Sequence, residues 1–160
     1  MEEAKKKMEE EKFHQQKSAE IKAEIEKLDQ NITSRQANFE RQCKFFDNYP
    51  DYFSNPQQTY GCNTAWLAFP ILIKEDAPFT RKEFQIFLEK NNIQTRVVFT
   101  GNILRQPMCQ NISKKVLEEG YPNADRVMAR GVLLPLHHGM TESMFSRLYA
   151  TLRTFIEQYD

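Results

Sequence analysis

The chain has 160 residues, of which 22 are Lys or Arg and 22 are Asp or Glu, so its formal net charge at pH 7 is zero. This balance argues against a nucleic-acid partner, because binding to phosphates needs a basic face. No run of 18 apolar residues occurs, so we expect no membrane partner, and the charged N-terminus is unlike a leader peptide. The length predicts one domain with an appendage.

Three cysteines, Cys43, Cys62 and Cys109, are unevenly spaced and predict neither a disulfide framework nor a zinc ribbon. Free thiols suit a reducing compartment, so we expect a cytoplasmic protein. Adjacent histidines, His137 and His138, point apart on an extended turn and have no nearby acid or thiol, so we predict no metal site. The known phosphate-loop, dinucleotide and hydrolase motifs are missing from the sequence.

Residues 1–47 contain no Pro or Gly and are rich in Glu, Lys, Gln and Ala, which predicts one long helix. Arg35 and Gln42 interrupt an apolar stripe with heptad-like spacing, which consists of Ile21, Ile25, Leu28, Ile32, Phe39 and Phe46. We expect residues 23–47 to pack against the domain as a linking helix. Residues 1–22 are expected to form a charged helical extension, either solvated or paired in a coiled coil.

Residues 48–160 are predicted to form the domain itself, beginning with a loop over residues 48–64. The predicted strands are Trp66–Lys74, Ile93–Phe99 and Val132–Leu136. The predicted helices are one opened by the capping box Thr80–Glu83, one at Ala124–Arg130 and one N-capped by Thr141. The fold class expected is α/β (α+β), with a small mixed sheet of about three strands packed by helices and a long N-terminal helix.

A dense polar stretch over residues 94–106 carries the candidate site. Gly101 permits a tight turn, so Arg96, Asn102 and Arg105 are expected to lie close together beyond a strand end. Guanidinium forks and an amide at such a turn suit a phosphate or a carboxylate. The alternative is that Arg96 pairs with a surface acid and that Arg105 is solvated. His137 is a weaker candidate for a substrate contact, and Cys109 is expected to be an inert thiol.

The stretch from Asn63 to Pro107 resembles the C-terminal small domain of the DegT/DnrJ/StrS family of pyridoxal-phosphate-dependent nucleotide-sugar aminotransferases and dehydratases. The nearest subgroup is the CDP-4-keto-6-deoxyglucose 3-dehydratases. The resemblance is carried by Trp66, Phe69-Pro70, Ala77-Pro78-Phe79, Arg81, Thr95-Arg96, Phe99, Gly101-Asn102 and Arg105-Gln106-Pro107. It extends to the R-x-x-N-F pattern of Arg35, Asn38 and Phe39, to Pro122–Asp125 and to Leu134–His137. It covers roughly Glu24 to Glu157.

The resemblance implies the small-domain fold of fold-type-I enzymes and a lyase or transferase activity in deoxysugar and lipopolysaccharide biosynthesis. Family enzymes use pyridoxal or pyridoxamine phosphate, with an iron–sulfur cluster in the dehydratase subgroup, and a preceding large domain supplies the catalytic, cofactor and cluster residues. We see no counterparts of those residues in this sequence, so we expect no catalytic, cofactor-binding or metal residue in this chain alone. We expect a truncated or split small-domain part.

Such a part is expected to contact a nucleotide sugar through Arg96, Asn102, Arg105 and His137, and to work with a separate large-domain chain or as a homodimer. The alternative is a non-enzymatic binding or oligomerisation module that kept the fold. A missing large domain also predicts an exposed apolar patch, at Phe39, Phe45, Phe46 and Trp66.

Overall fold

A computed structural model of the protein describes residues 2–159, apart from the side chains of residues 2–5 and 9; Met1 of the predicted extension lies outside this range. The predicted long helix is present as α1 (Glu2–Glu26) and α2 (Leu28–Phe46). Only Lys27 separates them, and its backbone stays helical, with φ −84° and ψ −12°. The two helices are therefore nearly continuous.

The domain contains one four-stranded sheet. Its strands are β1 (Phe53–Ser54), β2 (Phe69–Ile73), β3 (Arg96–Val97) and β4 (Gly131–Leu134). They are ordered β1-β2-β4-β3, and every pair is antiparallel. The sheet therefore has four strands where about three were expected, and it is antiparallel where a mixed sheet was expected. The additional strand β1 lies within the loop predicted over residues 48–64. The sequence does not reveal this strand, because two residues are too few to show an alternating pattern.

Pro70 lies in β2, where a missing backbone N–H would weaken a central strand. Strand β1 pairs only with Leu72 and Ile73, so at Pro70 the strand β2 has β4 as its single neighbour. The proline therefore occupies a local edge position, where its missing N–H costs no ladder bond to a second neighbour.

Three further helices cover the sheet: α3 (Arg81–Lys90), α4 (Pro122–Arg130) and α5 (Glu142–Ile156). The predicted capping box of α3 is present, with Thr80 and Glu83 bonded reciprocally. Thr141 caps α5 by accepting a bond from the Met144 N–H. The buried face of α5 consists of Phe145, Leu148, Leu152, Phe155 and Ile156. No helix among residues 2–159 is long and apolar enough to cross a membrane.

Helix α2 is bound to the domain by polar side chains, which include Arg35 and Gln42 at the two interruptions of its apolar stripe. Gln42 donates from Nε2 to the Pro135 carbonyl over 2.8 Å, and Asn38 donates from Nδ2 to the His137 carbonyl over 2.8 Å. Arg35 donates to the carbonyls of Trp66 and Leu136 over 3.1 and 3.5 Å. The carbonyls of Pro135 and Leu136, just past β4, gain donors in this way, and buried unpaired carbonyls are costly. The His137 carbonyl also accepts the Met140 N–H over 3.4 Å.

The expected exposed patch at Phe39, Phe45, Phe46 and Trp66 is wrong. Phe45 and Phe46 are 7% and 1% exposed and belong to the core. Phe39 and Trp66 are half-buried and stack on each other, with ring centroids 4.0 Å apart. The chain buries Phe45 and Phe46 by itself, because the exit from β4 and helix α5 pack over α2. Phe39 and Trp66 stay partly exposed.

Candidate functional site

The turn after β3 docks directly onto α4. Gly101 has φ +61°, a conformation that favours glycine. A Cβ atom at Gly101 would lie 2.3 Å from the Cβ of Met128 in α4, a distance too short for two carbon atoms that are not bonded to each other. Glycine is therefore required at this position both by the backbone angle and by the close approach of the helix.

Asn102, which is 5% exposed, links the turn to α4 through its amide. Its Nδ2 donates to Asp125 Oδ1 over 2.8 Å, and its Oδ1 accepts the Leu104 N–H over 3.0 Å. The second bond caps a short 3₁₀ helix, Ile103–Arg105. The amide thus holds the segment that presents Arg105.

Arg105 makes a bidentate contact with the same carboxylate, and we call Asn102, Arg105 and Asp125 together the hub. Its Nε donates to Asp125 Oδ1 over 3.0 Å and its Nη2 donates to Oδ2 over 2.9 Å. The bonds from Arg105, followed by the bond from Asn102, lower the pKa of Asp125 to about 2. The same carboxylate raises the pKa of Arg105. An anion at this site would have to share the guanidinium with Asp125.

The hub forms one wall of a half-open cavity of about 300 Å³. The opposite wall comes from the 114–122 segment and brings Lys114, Glu119 and Tyr121 to the cavity. Lys114 donates to the Cys109 carbonyl. Two cations and two acids around one opening suit a ligand that carries both anionic oxygens and hydroxyl groups.

Arg96 lies apart from this cavity. It is exposed on β3 and lines a shallow groove with Lys82, Glu89 and Lys90. Bonds from the Thr95 N–H and hydroxyl lower the pKa of Glu89, and the charge of Arg96 adds to that effect. Among the described residues Arg96 forms no ion pair, and Arg105 is paired with Asp125, so the alternative interpretation is not confirmed. The structure also does not bring Arg96 together with Asn102 and Arg105.

His137 lies in a third place, at the exit of β4. Its side chain is exposed, and its Nδ1 accepts the Gly139 N–H over 3.2 Å. It borders a largely apolar cavity of about 280 Å³, together with Met140, Met144 and Arg147. A role for His137 in substrate binding stays a prediction.

Asp125 is the residue that sequence reasoning missed as a site residue. It lies within the Pro122–Asp125 motif, but a lone acid in the first turn of a short helix indicates only a favourable helix start. Its bonds to Asn102 and Arg105 join positions far apart in the chain, and one sequence without homologues does not show such a pairing.

The described residues do not fit a pyridoxal phosphate. A binding site would need a group at the aldehyde, a free carboxylate at the ring nitrogen and a cradle for the phosphate. The carboxylate of Asp125 is occupied by Arg105 and Asn102, and Lys114 beside it contacts a backbone carbonyl. Residues 2–159, as described, also contain no group of three metal-ligating side chains, and the three cysteines are free.

Comparison with known proteins assigns the family. The DegT/DnrJ/EryC1/StrS aminotransferase family matches residues 9–153, so the chain belongs to this family. The match begins upstream of Glu24, where the recognisable motifs begin, and includes much of α1. The resemblance on Trp66 to Pro107 is thereby confirmed.

Among curated proteins, the chain is 30% identical over 119 residues to the lipopolysaccharide biosynthesis protein RfbH of Salmonella typhimurium, covering 74% of this chain and 27% of that protein. It is 28% identical over 134 residues to a dTDP-4-dehydro-2,6-dideoxy-D-glucose 3-dehydratase of Saccharopolyspora spinosa, covering 84% of this chain and 29% of that protein. The chain therefore spans under a third of the length of the curated relatives it matches.

Among solved structures, a GDP-4-keto-6-deoxymannose-3-dehydratase with bound GDP-perosamine matches with a TM-score of 0.71 at 25% identity, covering 80% of this chain and 32% of that one. The same type of enzyme with a trapped PLP–glutamate geminal diamine matches with a TM-score of 0.67 at 25% identity, covering 78% of this chain and 32% of that one. The small helix-and-sheet fold expected from the resemblance is confirmed.

Proposed function

We propose that this chain acts as the small domain of a nucleotide-sugar dehydratase or aminotransferase of deoxysugar and lipopolysaccharide biosynthesis, of the kind of the CDP-4-keto-6-deoxyglucose 3-dehydratases. The observation that carries the proposal is the family match over residues 9–153, together with relatives named as 3-dehydratases of nucleotide-linked sugars. The chain contributes substrate contacts, and catalysis requires a large domain. We place this function in the cytoplasm.

The cavity beside the Asn102–Arg105–Asp125 hub supports a role in binding the nucleotide sugar. Arg105 and Lys114 provide positive charge for a diphosphate, and Glu119 and Tyr121 offer partners for sugar hydroxyls. Asp125 keeps the Arg105 guanidinium in one orientation, which reduces the side-chain entropy lost on binding. Arg96 and His137 serve as secondary contacts from the neighbouring grooves.

The chemistry of these residues determines which roles belong to the small domain and which to the large domain. They bind and orient a polar, anionic substrate, whereas the pyridoxal or pyridoxamine phosphate supplies the electron sink. In this proposal the large domain holds that cofactor, and also the iron–sulfur cluster of the dehydratase subgroup. Orientation by the small domain lowers the barrier only when both domains enclose the substrate.

A titration of the ¹⁵N-labelled full chain with CDP-glucose and GDP-mannose tests the binding role. We expect saturable chemical-shift changes at Asn102, Arg105 and Lys114 with millimolar affinity. Arg105→Ala should remove them, whereas Lys44→Ala, which removes an exposed lysine of α2, should leave them unchanged. Absence of saturable changes at about 10 mM ligand, well above the expected range of weak binding, would contradict the assigned cavity.

A chimera tests the enzymatic role. Residues 23–160 replace the matched segment of the Salmonella RfbH protein, and the pyridoxal absorbance band verifies that the large domain is intact. We expect dehydratase turnover in the chimera and a loss of kcat/KM of about 10- to 100-fold on Arg105→Ala, the range of one charge-assisted contact. An intact chimera that is unaffected by Arg105→Ala would refute substrate binding by this residue.

A non-enzymatic oligomerisation module is the second candidate, because one observation favours it. Every side chain from residue 10 to residue 30 is exposed, including Ile21, Ile25 and Leu28. Under this candidate, the titration with nucleotide sugars gives no saturable shift changes, and Arg105→Ala alters nothing.

A further inference from the structure

The N-terminal arm, defined as residues 10–32, carries an unpaired apolar stripe. Ile21, Ile25 and Leu28 are 55%, 62% and 53% exposed, and Ile32 is half-buried where the arm meets the domain. The helical backbone continues through Lys27, so these four side chains lie along one side of a single rod. Such a stripe loses water contact only if another surface covers it.

We propose that the arm pairs with the arm of a second copy of this chain, antiparallel, with Ile21 facing Ile32 and Ile25 facing Leu28. Steps of four, three and four residues are those of the a and d positions of a coiled coil. The next seam positions towards the N-terminus are Ser18, His14 and Glu11, which are polar. The apolar seam is therefore four positions long, and the antiparallel register buries all four in both copies.

Charge selects this direction over the parallel one. In the antiparallel register, Lys22 of one copy flanks the seam opposite Asp29 of the other, and the two-fold symmetry makes this pair twice. The parallel register instead places Glu24 opposite Asp29 and Lys17 opposite Lys22, which are like charges. Lys22 and Asp29 form no ion pair with other described residues, so both are available.

The length of the seam sets the strength of the pairing. Beyond Ile32 the same side of α2 faces its own domain, where Arg35 and Phe39 contact Trp66. Four layers bury less than a standard protein interface, which places the dimer in the weak class. We expect a dissociation constant on the order of 100 µM.

Sedimentation equilibrium of the full chain, at concentrations from about 20 µM to about 1 mM so that they bracket the expected dissociation constant, tests the pairing. We expect a monomer–dimer equilibrium that Ile25→Glu shifts at least tenfold towards monomer. The matched control is Ile86→Glu, which changes an isoleucine that is 43% exposed on α3, outside the arm, and should leave the equilibrium unchanged. A wild-type chain that stays monomeric at the highest concentration would overturn the proposal and assign the stripe to a different occupant.

A charge exchange tests the direction. Lys22→Glu should weaken the dimer several-fold, because the new carboxylate would then face Asp29, and adding Asp29→Lys should restore it. A parallel dimer gives the opposite result for the single variant, since the new acid would face Lys17. Strengthening by Lys22→Glu alone would therefore refute the antiparallel arrangement. Circular dichroism verifies that each variant keeps its helix content.

Discussion

Two sides of the same small sheet differ in how far their large side chains are buried. We call the side of α2, where they are buried, the closed side, and the side of β3, where they are exposed, the open side. On the side of α2, Phe46 and Gln42 are 1% and 0% exposed, and side-chain donors satisfy the carbonyls that leave β4. On the side of β3, the segment 97–117 also carries large apolar residues but stays open, with Phe99 and Met108 being 85% and 74% exposed. Apolar residues alone therefore do not produce a closed core; the polar groups of the backbone must also find partners.

The difference also separates stability from binding. Segments with few buried contacts open at low free energy, and binding residues are commonly presented by such loops on a firm scaffold. The Asn102–Arg105–Asp125 hub fixes one point of the loose side to α4, and the rest of the segment is free to meet a ligand or a second domain. The α2 side supplies the firm scaffold.

The largest expected effect breaks the closed side. Phe46→Ala should lower the free energy of unfolding by about 3–5 kcal/mol, since it removes a fully buried ring and leaves a cavity among Phe45, Phe53 and Phe69. The matched change on the open side, Phe99→Ala, should cost no more than about 0.5 kcal/mol. Urea denaturation checks both, and similar costs for the two variants would contradict the comparison.

A smaller effect tests the one fixed point of the open side. Gly101→Ala should destabilise the chain by about 2–4 kcal/mol, because it adds a collision with Met128 to an unfavourable backbone angle. Gly120→Ala measures the cost of the backbone angle alone, because Gly120 has φ +71° and no atom lies within 4 Å of a Cβ added there. It should cost only about 1 kcal/mol. Thermal unfolding followed by circular dichroism separates the two, and equal losses would show that the turn is not packed on α4.

Much of the closed side could be predicted from the sequence, because it consists of long periodic elements. The heptad-like stripe of α2, the capping box at Thr80 and the apolar face of α5 are local patterns, and local patterns are visible in one sequence. The short strands β1 and β3 were less predictable, since two residues carry no periodicity and their pairing depends on contacts distant in sequence.

The candidate site was only partly predictable for the same reason. Gly101, Asn102 and Arg105 lie within one short stretch and could be grouped from the sequence, and the structure does place Asn102 and Arg105 on one carboxylate. Arg96 lies on β3 itself and borders another groove, and Asp125 comes from a separate helix, α4. Gln42 could be identified from the sequence only as an interruption of the stripe, and its partner, the Pro135 carbonyl, required the fold.

A further prediction tests whether the hydrogen bond from Gln42 to the Pro135 carbonyl stabilises the α2 side. Gln42→Ala should cost about 1–3 kcal/mol, since it leaves the Pro135 carbonyl without its donor and opens a cavity. Gln42→Met keeps the volume and also removes the Gln42 Oε1 atom, which is buried without a partner. The methionine variant should therefore lose less than the alanine variant. Denaturant unfolding checks the order, and a larger loss for methionine would contradict it.

The smallest effect concerns the titration of the hub. Arg105 and Asn102 lower the pKa of Asp125 from its ordinary 3.8 to about 2. Because the folded-state pKa is depressed, the stabilisation by this carboxylate is fully present above about pH 4 and is lost as the pH falls towards about 2. Arg105→Ala should raise the pKa of Asp125 towards its ordinary value, whereas Arg96→Ala, which lies in a separate groove, should not change it. Carboxyl ¹³C chemical shifts followed from about pH 6 to about pH 1.5, a range that spans both pKa values, measure both. If Arg96→Ala moved the pKa of Asp125 as far as Arg105→Ala does, the separation of Arg96 from the hub would be wrong, and the open side would hold one joint cationic site in place of two.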